Sequence, residues 1–189
     1  MIYLLRHGET VWNTLGRFQG QKDSPLTQRG ILQVDQMAAR LAQEIGGSGT
    51  SFDIDVSPLG RALETAARVT LAVPFTARED VRLKEVTTGC WDGMTLYEID
   101  VEYPGALEGS DAFDWYFRSP DGETFDSACA RVERWLSGIS TPVIAVSHGL
   151  TGRLIRGIYL GLSRREMLEL PVPQDGFYRL VHGQVTLIE

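Results

Sequence analysis

The chain has 189 residues and a mass of 21.0 kDa, which suits one compact domain built around one core. Its composition, 43% hydrophobic and 23% charged, excludes a disordered chain. The net charge of −7 argues against nucleic acid as a partner, because the phosphate backbone is bound by basic surfaces.

Three short apolar runs, rich in β-branched residues, predict strands that are covered on both faces. They are Ile2 to Leu5, Ile54 to Val56 and Val143 to Val146. The first run stops at Arg6, which makes it too short for a signal-peptide core or a membrane span. We therefore expect a cytoplasmic protein that has no membrane partner.

Helical periodicity separates these strands. Thr27 to Ile45 places apolar residues on one face and ends at Gly46-Gly47, and Pro58 to Leu71 follows the second strand. Near the C-terminus, Tyr178 to Val181 and Val185 to Ile188 predict a hairpin. The alternation predicts an α/β fold, a three-layer α/β/α sandwich whose central sheet is mainly parallel.

Residues 89–120 form no clean repeat and predict short helices and loops inserted above the functional edge of the sheet. We assign substrate selectivity to this region. Its aromatic residues suit an apolar wall against the substrate or a local core, and we expect some in each role: Trp91, Tyr97, Tyr103, Phe113, Trp115, Tyr116 and Phe117. From Pro104 to Pro120 the only cation is Arg118, among several carboxylates, which favours a substrate whose remainder is neutral or partly apolar.

Two His-Gly dipeptides follow predicted strands. Arg6-His7-Gly8 closes the first strand, and Ser147-His148-Gly149 closes the Val143 to Val146 strand ahead of a helical pattern. If these strands are neighbours, the two imidazoles face each other beside a helix N-terminus, where an anion is favoured. The forked guanidiniums of Arg6 and Arg61 suit the oxygens of a phosphoryl group.

These elements resemble the histidine phosphatase superfamily, also called phosphoglycerate mutase-like, over most of the chain. The shared elements are Arg6-His7-Gly8-Glu9-Thr10 with Trp12-Asn13, Gln19-Gly20 with Asp23 to Thr27 and Gly30, Ser57 to Ala66, Leu83-Lys84-Glu85 with Gly89 to Gly93, Gly122-Glu123-Thr124, and Ser147-His148-Gly149. Asp92 stands where the family often has glutamate, and Thr124 where serine is common. We therefore expect the whole chain, residues 1–189, to form a single histidine phosphatase domain.

The resemblance implies a catalytic set in which His7 is the nucleophile and Glu85 is the proton donor. It places Arg6, Arg61 and His148 around the phosphoryl group, with Asn13 and Gln19 as neutral donors. The main chain at Gly20 and Gly149 completes the expected phosphate site. The implied activity is hydrolysis of a phosphomonoester through phosphohistidine, without metal or cofactor.

Two other functions stay open at this point. A phosphoglycerate mutase-type phosphotransferase returns the phosphoryl group to a sugar acid, and a non-catalytic module only binds phosphate. Asn13 and Gln19 either bind substrate or shape their loop. His182 is assigned a structural role, and no histidine spacing indicates a metal site. We expect a small phosphomonoester as substrate, and a monomer or homodimer.

Overall fold

The computed structural model describes residues 1–46, 49–111 and 114–189. The strands are β1 (Ile2–Arg6), β2 (Asp53–Val56), β3 (Ala77–Glu79), β4 (Val143–Ser147), β5 (Phe177–Val181) and β6 (Gln184–Ile188). The helices are α1 (Val11–Thr14), α2 (Gln28–Ile45), α3 (Gly60–Ala72), α4 (Leu96–Glu102), α5 (Phe125–Ser137), α6 (Gly149–Leu160) and α7 (Arg164–Glu169). Short 3₁₀ turns span Val81–Leu83, Gly89–Trp91 and Asp114–Phe117.

The strands form one sheet in the order β3-β2-β4-β1-β5-β6. The first four are parallel, whereas β5 and β6 form an antiparallel hairpin at one edge. The central pair is β1 and β4, in which Arg6 lies opposite Ser147. This register delivers His7 and His148 side by side, one residue beyond the end of each strand.

Helices cover both faces of this sheet. On one face, Tyr3 and Leu5 pack with residues of α2 and α3, and on the other, Ile2 and Leu4 pack with residues of α5 and α6. Side chains of a strand alternate between faces, so a nearly continuous apolar run is what a strand between two helical layers requires. The predicted three-layer sandwich with a mainly parallel sheet is confirmed.

The differences from the predicted elements have local causes. Strand β3 was not predicted, because it is an exposed edge strand of three residues with no alternation of apolar and polar residues. Helix α3 begins at Gly60 rather than Pro58, because the carboxylate of Asp23 accepts hydrogen bonds from the main-chain N–H groups of Gly60 and Arg61. Gly47 and Phe113, named in the sequence interpretation, lie outside the described residues.

The region of residues 89–120 carries a small core of its own. Trp91, Ile99 and Trp115 are buried together, and Phe18 and Tyr103 pack against them. Most of the aromatic residues described there are therefore packing residues, which is one of the two roles expected for them. No described helix is both long and apolar enough to cross a bilayer.

Two glycines let α2 approach the end of β1. A Cβ atom on Gly30 would lie 2.1 Å from the main-chain oxygen of Glu9, and one on Gly8 would lie 2.5 Å from that of Gly30. Only residues without a side chain allow this contact. The loop that carries His7 is consequently fixed against the first turn of α2.

Candidate active site

A cavity of about 320 Å³ opens at the carboxyl ends of the central strands. This is where ligands bind in most open parallel sheets. It brings together eight of the predicted site residues: Arg6, His7, Asn13, Gln19, Gly20, Arg61, Glu85 and Gly149. The ninth, His148, lines a small adjoining space with Arg6 and Gly149.

His7 is buried and held in one orientation. Its Nδ1 lies 2.8 Å from the main-chain oxygen of Gly8, so this nitrogen carries the proton and donates. The other nitrogen, Nε2, then has a lone pair for nucleophilic attack. Burial, together with the charges of Arg6 and Arg61, holds the pKa of His7 well below its usual range, and the ring is neutral at pH 7.

His148 faces His7 with 5.2 Å between the ring centroids. Its Nε2 lies 2.7 Å from the hydroxyl oxygen of Ser57. Burial lowers the pKa of His148 well below the ordinary value, and Arg61, His7 and Arg6 lower it further. The two imidazoles are therefore both neutral at pH 7. Their closeness follows from the pairing of β1 with β4.

Arg6 and Arg61 are anchored through the ends of their guanidinium groups. Arg6 Nη1 donates to the main-chain oxygen of Val172 at 3.1 Å. Arg61 Nη2 donates to the oxygen of Gly20 at 2.8 Å, and its Nη1 donates to Asp23 Oδ1 at 2.8 Å. These hydrogen bonds hold both guanidinium groups in place before a ligand binds, which reduces the conformational entropy lost on binding.

Buried polar atoms without a partner concentrate in this site. In the described part of the chain they include Arg6 Nε, Arg61 Nε, His148 Nδ1 and Gln19 Oε1. A buried polar group without a partner costs about 1–3 kcal/mol, so several together indicate that a ligand completes their hydrogen bonds. Because guanidinium N–H groups only donate, this ligand must supply acceptor atoms.

Glu85 lies at the N-terminus of α6. Its Oε2 accepts a hydrogen bond from Leu150 N at 3.0 Å, and its Oε1 accepts from Thr151 N at 2.9 Å and Thr151 Oγ1 at 3.0 Å. Arg131 fixes the preceding loop through the main-chain oxygens of Arg82 and Lys84. The carboxylate therefore has a defined position on the cavity wall.

The two amide residues differ in what they do. Asn13 Oδ1 accepts from Thr10 N at 3.0 Å and caps α1, so this end shapes the loop and the amide nitrogen is left as a donor. Gln19 is buried, and its Oε1 has no partner within the described ranges of the chain. Since the two ends of an amide exchange by a half turn, Gln19 can present N–H to an anion instead.

The two departures from the family pattern have structural explanations. Asp92 Oδ2 accepts from Gln21 N at 3.0 Å and ties the Gln19–Gln21 loop to the inserted region. A Cβ on Gly20, whose φ is +49°, would lie 1.8 Å from Asp92 Oδ1. Asp92 can therefore approach the loop this closely only because residue 20 is a glycine. Thr124 caps α5 by accepting from Ser127 N, as serine also does.

The cavity lining also contains residues outside the predicted catalytic and phosphate-binding set. Phe18, Val86 and Tyr116 contribute apolar surface, Arg153 contributes a cation, and Arg17 is paired with Glu98 at 2.7 Å. Arg153 follows Gly149 by one helical turn, and this spacing is the signal that would have found it. Tyr116, one of the aromatic residues of the 89–120 region, lines the cavity and also packs on the local core, so it has both of the roles expected for these aromatics.

The described acidic residues of the Pro104 to Pro120 segment, Glu108, Asp111 and Asp114, do not line the cavity. Arg118 binds Asp114 and the main-chain oxygens of Glu108 and Gly109. None of these four residues belongs to the described lining. Acidic residues of that loop therefore give no reason for the cavity to reject an anionic substrate.

Among the described residues, no group of three or more His, Cys, Asp or Glu side chains is placed to hold a metal ion. Cys90 and Cys129 are free thiols.

Lowering the pH from about 7.5 to about 5.5 should reduce the free energy of unfolding by about 1 kcal/mol for each of the two buried histidines. In the unfolded chain their pKa is about 6.5, whereas burial lowers the folded pKa of His7 and His148 well below that value. The unfolded state therefore binds more protons in this window, and stability falls as the pH falls.

Urea unfolding measures this loss. The double variant His7→Asn/His148→Asn should lose less stability than the wild type over the same pH range. An equal decline in both proteins would contradict the expected neutral state of the two rings.

Comparisons with known proteins agree with this geometry. A family model described as the histidine phosphatase superfamily (branch 1) matches residues 2–185. A probable phosphoglycerate mutase, GpmB, of Erwinia tasmaniensis is 30% identical over 189 residues, covering 97% of this chain and 85% of that protein.

Solved structures give the same result. The α-ribazole phosphatase of Shigella flexneri superposes with a TM-score of 0.78 at 26% identity, covering 99% of this chain and 94% of that one. A mycobacterial glucosyl-3-phosphoglycerate phosphatase, complexed with VO₃, gives a TM-score of 0.77 at 25% identity, covering 98% and 96%. From the family match and this geometry, the chain belongs to branch 1 of the histidine phosphatase superfamily.

Proposed function

We propose that the protein hydrolyses a phosphomonoester through a phosphohistidine intermediate on His7, without a metal ion. The observation that carries the proposal is a set of buried nitrogens that have no partner among the described residues, in the site where His7 binds Gly8 through Nδ1 and keeps a lone pair on Nε2: Arg6 Nε, Arg61 Nε and His148 Nδ1. A phosphoryl group supplies equatorial oxygens to such donors, and it places phosphorus against the nucleophile. The vanadate bound by the mycobacterial relative supports this interpretation, since vanadate resembles a phosphoryl group in transfer.

In the first step, His7 Nε2 attacks phosphorus and the bond from phosphorus to the ester oxygen breaks. The departing alkoxide takes a proton from the acid form of Glu85, which lies on the wall of the same cavity. The guanidiniums of Arg6 and Arg61 stabilise the charge on the equatorial oxygens. Phosphohistidine and a free alcohol result.

In the second step, water replaces the alcohol. Glu85, now a carboxylate, accepts a proton from the water as the water oxygen attacks phosphorus. The bond from phosphorus to Nε2 breaks, and the electron pair returns to His7. Inorganic phosphate leaves, and both residues regain their starting forms.

A phosphotransferase uses the same first step and differs only in the acceptor of the phosphoryl group. The naming of the Erwinia relative as a probable phosphoglycerate mutase favours keeping this second candidate. The cavity lining also contains Arg153, whose guanidinium suits a substrate that carries a further anionic group, whereas Arg17 is already paired with Glu98. Hydrolysis is preferred because the closely superposing solved structures of Shigella and mycobacteria are named phosphatases.

A rapid-quench experiment tests the proposal. Wild-type protein mixed with a ³²P-labelled aryl phosphate in the presence of a chelator should release inorganic phosphate and show acid-labile, alkali-stable label on the protein. His7→Asn should show no label. Turnover without label would contradict the intermediate, and turnover only after metal is added would contradict metal independence. Transfer of the label to a sugar acid, but not to water, would favour the phosphotransferase.

A further inference from the structure

Ser57 is the first residue after β2 and is completely buried. Its main-chain N–H donates to the oxygen of Val146 at 3.0 Å, which continues the pairing of β2 with β4. His148 stands two residues beyond Val146 on the neighbouring chain segment. The sheet itself therefore holds the Ser57 hydroxyl oxygen 2.7 Å from His148 Nε2.

The contacts of the Ser57 hydroxyl favour one direction for this hydrogen bond, because a buried hydroxyl donates where an acceptor is in reach and, among the described residues, His148 Nε2 is the one acceptor that it contacts. Ser57 Oγ accepts a long hydrogen bond, of 3.4 Å, from Leu59 N. Its own hydrogen is then available to donate to His148 Nε2, which must be unprotonated to accept it. The proton of the ring is thereby placed on Nδ1, which is buried and has no partner among the described residues.

The position of this proton matters because His148 has only one. Burial and the charges of Arg61, His7 and Arg6 lower the pKa of His148 well below its usual range, so the ring is neutral at pH 7. A neutral imidazole donates from one nitrogen and accepts at the other. The oxygens of a phosphoryl dianion only accept, so an Nδ1 without a proton would face them with a lone pair.

Both histidines carry their proton on Nδ1, but each uses a different ring nitrogen for its role at the phosphoryl group. At His7, an acceptor, the oxygen of Gly8, binds Nδ1–H and leaves Nε2 free to attack. At His148, a donor, Ser57, binds Nε2 and leaves Nδ1–H free to donate. The nature of each partner thus decides which ring is a nucleophile and which is a hydrogen-bond donor.

We propose that Ser57 is a positioning residue, which fixes His148 in the tautomer that donates a hydrogen bond from Nδ1 to the phosphoryl group. The tautomer is a property of the free protein, while its use in the reaction rests on the proposed function.

Long-range ¹H–¹⁵N NMR spectra of ¹⁵N-histidine-labelled protein at pH 7.5 read the tautomer directly. The chain has three histidines, so His7→Asn and His148→Asn assign the signals. We expect His148 to be protonated on Nδ1 in the wild type, and Ser57→Ala to shift it toward protonation on Nε2. Ser147→Ala is the matched control, since its hydroxyl donates to the oxygen of Leu83 and should leave the His148 signals unchanged.

Kinetics then test the consequence. Ser57→Ala should lower kcat for an aryl phosphate by about tenfold, the loss of one hydrogen bond in the transition state, and Ser57→Thr should restore most of it together with the tautomer. Protonation of His148 on Nε2 in the wild type, or an unchanged tautomer in Ser57→Ala, would overturn the proposal. An altered tautomer with unchanged kcat would overturn its role in the reaction.

Failure of the proposed function gives a different result. If the wild type turns over no phosphomonoester, the NMR spectra still decide the tautomer, and titration with inorganic phosphate replaces kcat. Ser57→Ala should then bind inorganic phosphate about tenfold more weakly than the wild type. Equal affinities would overturn the proposal.

Discussion

Replacing His7 by asparagine should lower kcat/KM for an aryl phosphate on the order of 10⁴-fold or more. The variant keeps a polar side chain beside Gly8 but has no imidazole Nε2 to form the phosphohistidine. Arg6, Arg61 and His148 remain, so inorganic phosphate should still bind. Steady-state kinetics and a phosphate titration, measured on the same preparation, separate lost chemistry from lost folding.

The third histidine provides the control. His182 lies in the turn between β5 and β6 with a φ of +49°, a conformation that asparagine tolerates well. His182→Asn should therefore keep full activity. A His7→Asn variant that retains more than about a tenth of the wild-type rate would rule out His7 as the nucleophile.

The parts of the fold with regular patterns were predictable from the sequence. Apolar runs identified β1, β2 and β4 to within one residue at each end, because strands between two helical layers tolerate few polar residues. Strand β3, Ala77–Glu79, has no such constraint at the exposed edge. The order of the strands does not follow from these patterns, because pairing is decided by packing over long sequence distances.

The candidate site also has residues that were predictable from the sequence and residues that were not. His7, His148 and Arg61 were predictable because each follows a strand end, and parallel strands bring their carboxyl ends to one edge. Tyr116 was only one of several aromatic candidates for the cavity wall, because its position depends on how residues 89–120 pack, and Arg153 was missed although it follows Gly149 by one helical turn. Ser57 lay inside a recognised motif, yet its partner became visible only in the register of β2 and β4.

Replacing Arg61 by lysine should lower kcat/KM by about 100- to 1000-fold, although the positive charge is kept. The guanidinium uses separate nitrogens for separate tasks: Nη1 and Nη2 bind the oxygens of Lys22 and Gly20, and Nε has no partner in the described protein. A single ammonium cannot hold the loop and also meet a phosphoryl oxygen with this geometry. The loss should fall on kcat more than on KM, because charge develops on those oxygens in the transition state.

Arg68 offers a matched substitution on the same helix. It lies two turns beyond Arg61 and forms an exposed ion pair with Asp35, so Arg68→Lys should change kcat/KM by no more than about twofold. The kcat/KM of Asp23→Asn should lie between those of Arg61→Lys and Arg68→Lys, because this substitution weakens one hydrogen bond that holds Arg61 but leaves the guanidinium in place. If Arg61→Lys and Arg68→Lys were equally active, a positive charge alone would suffice at this position. The fork geometry would then have no part in transition-state stabilisation.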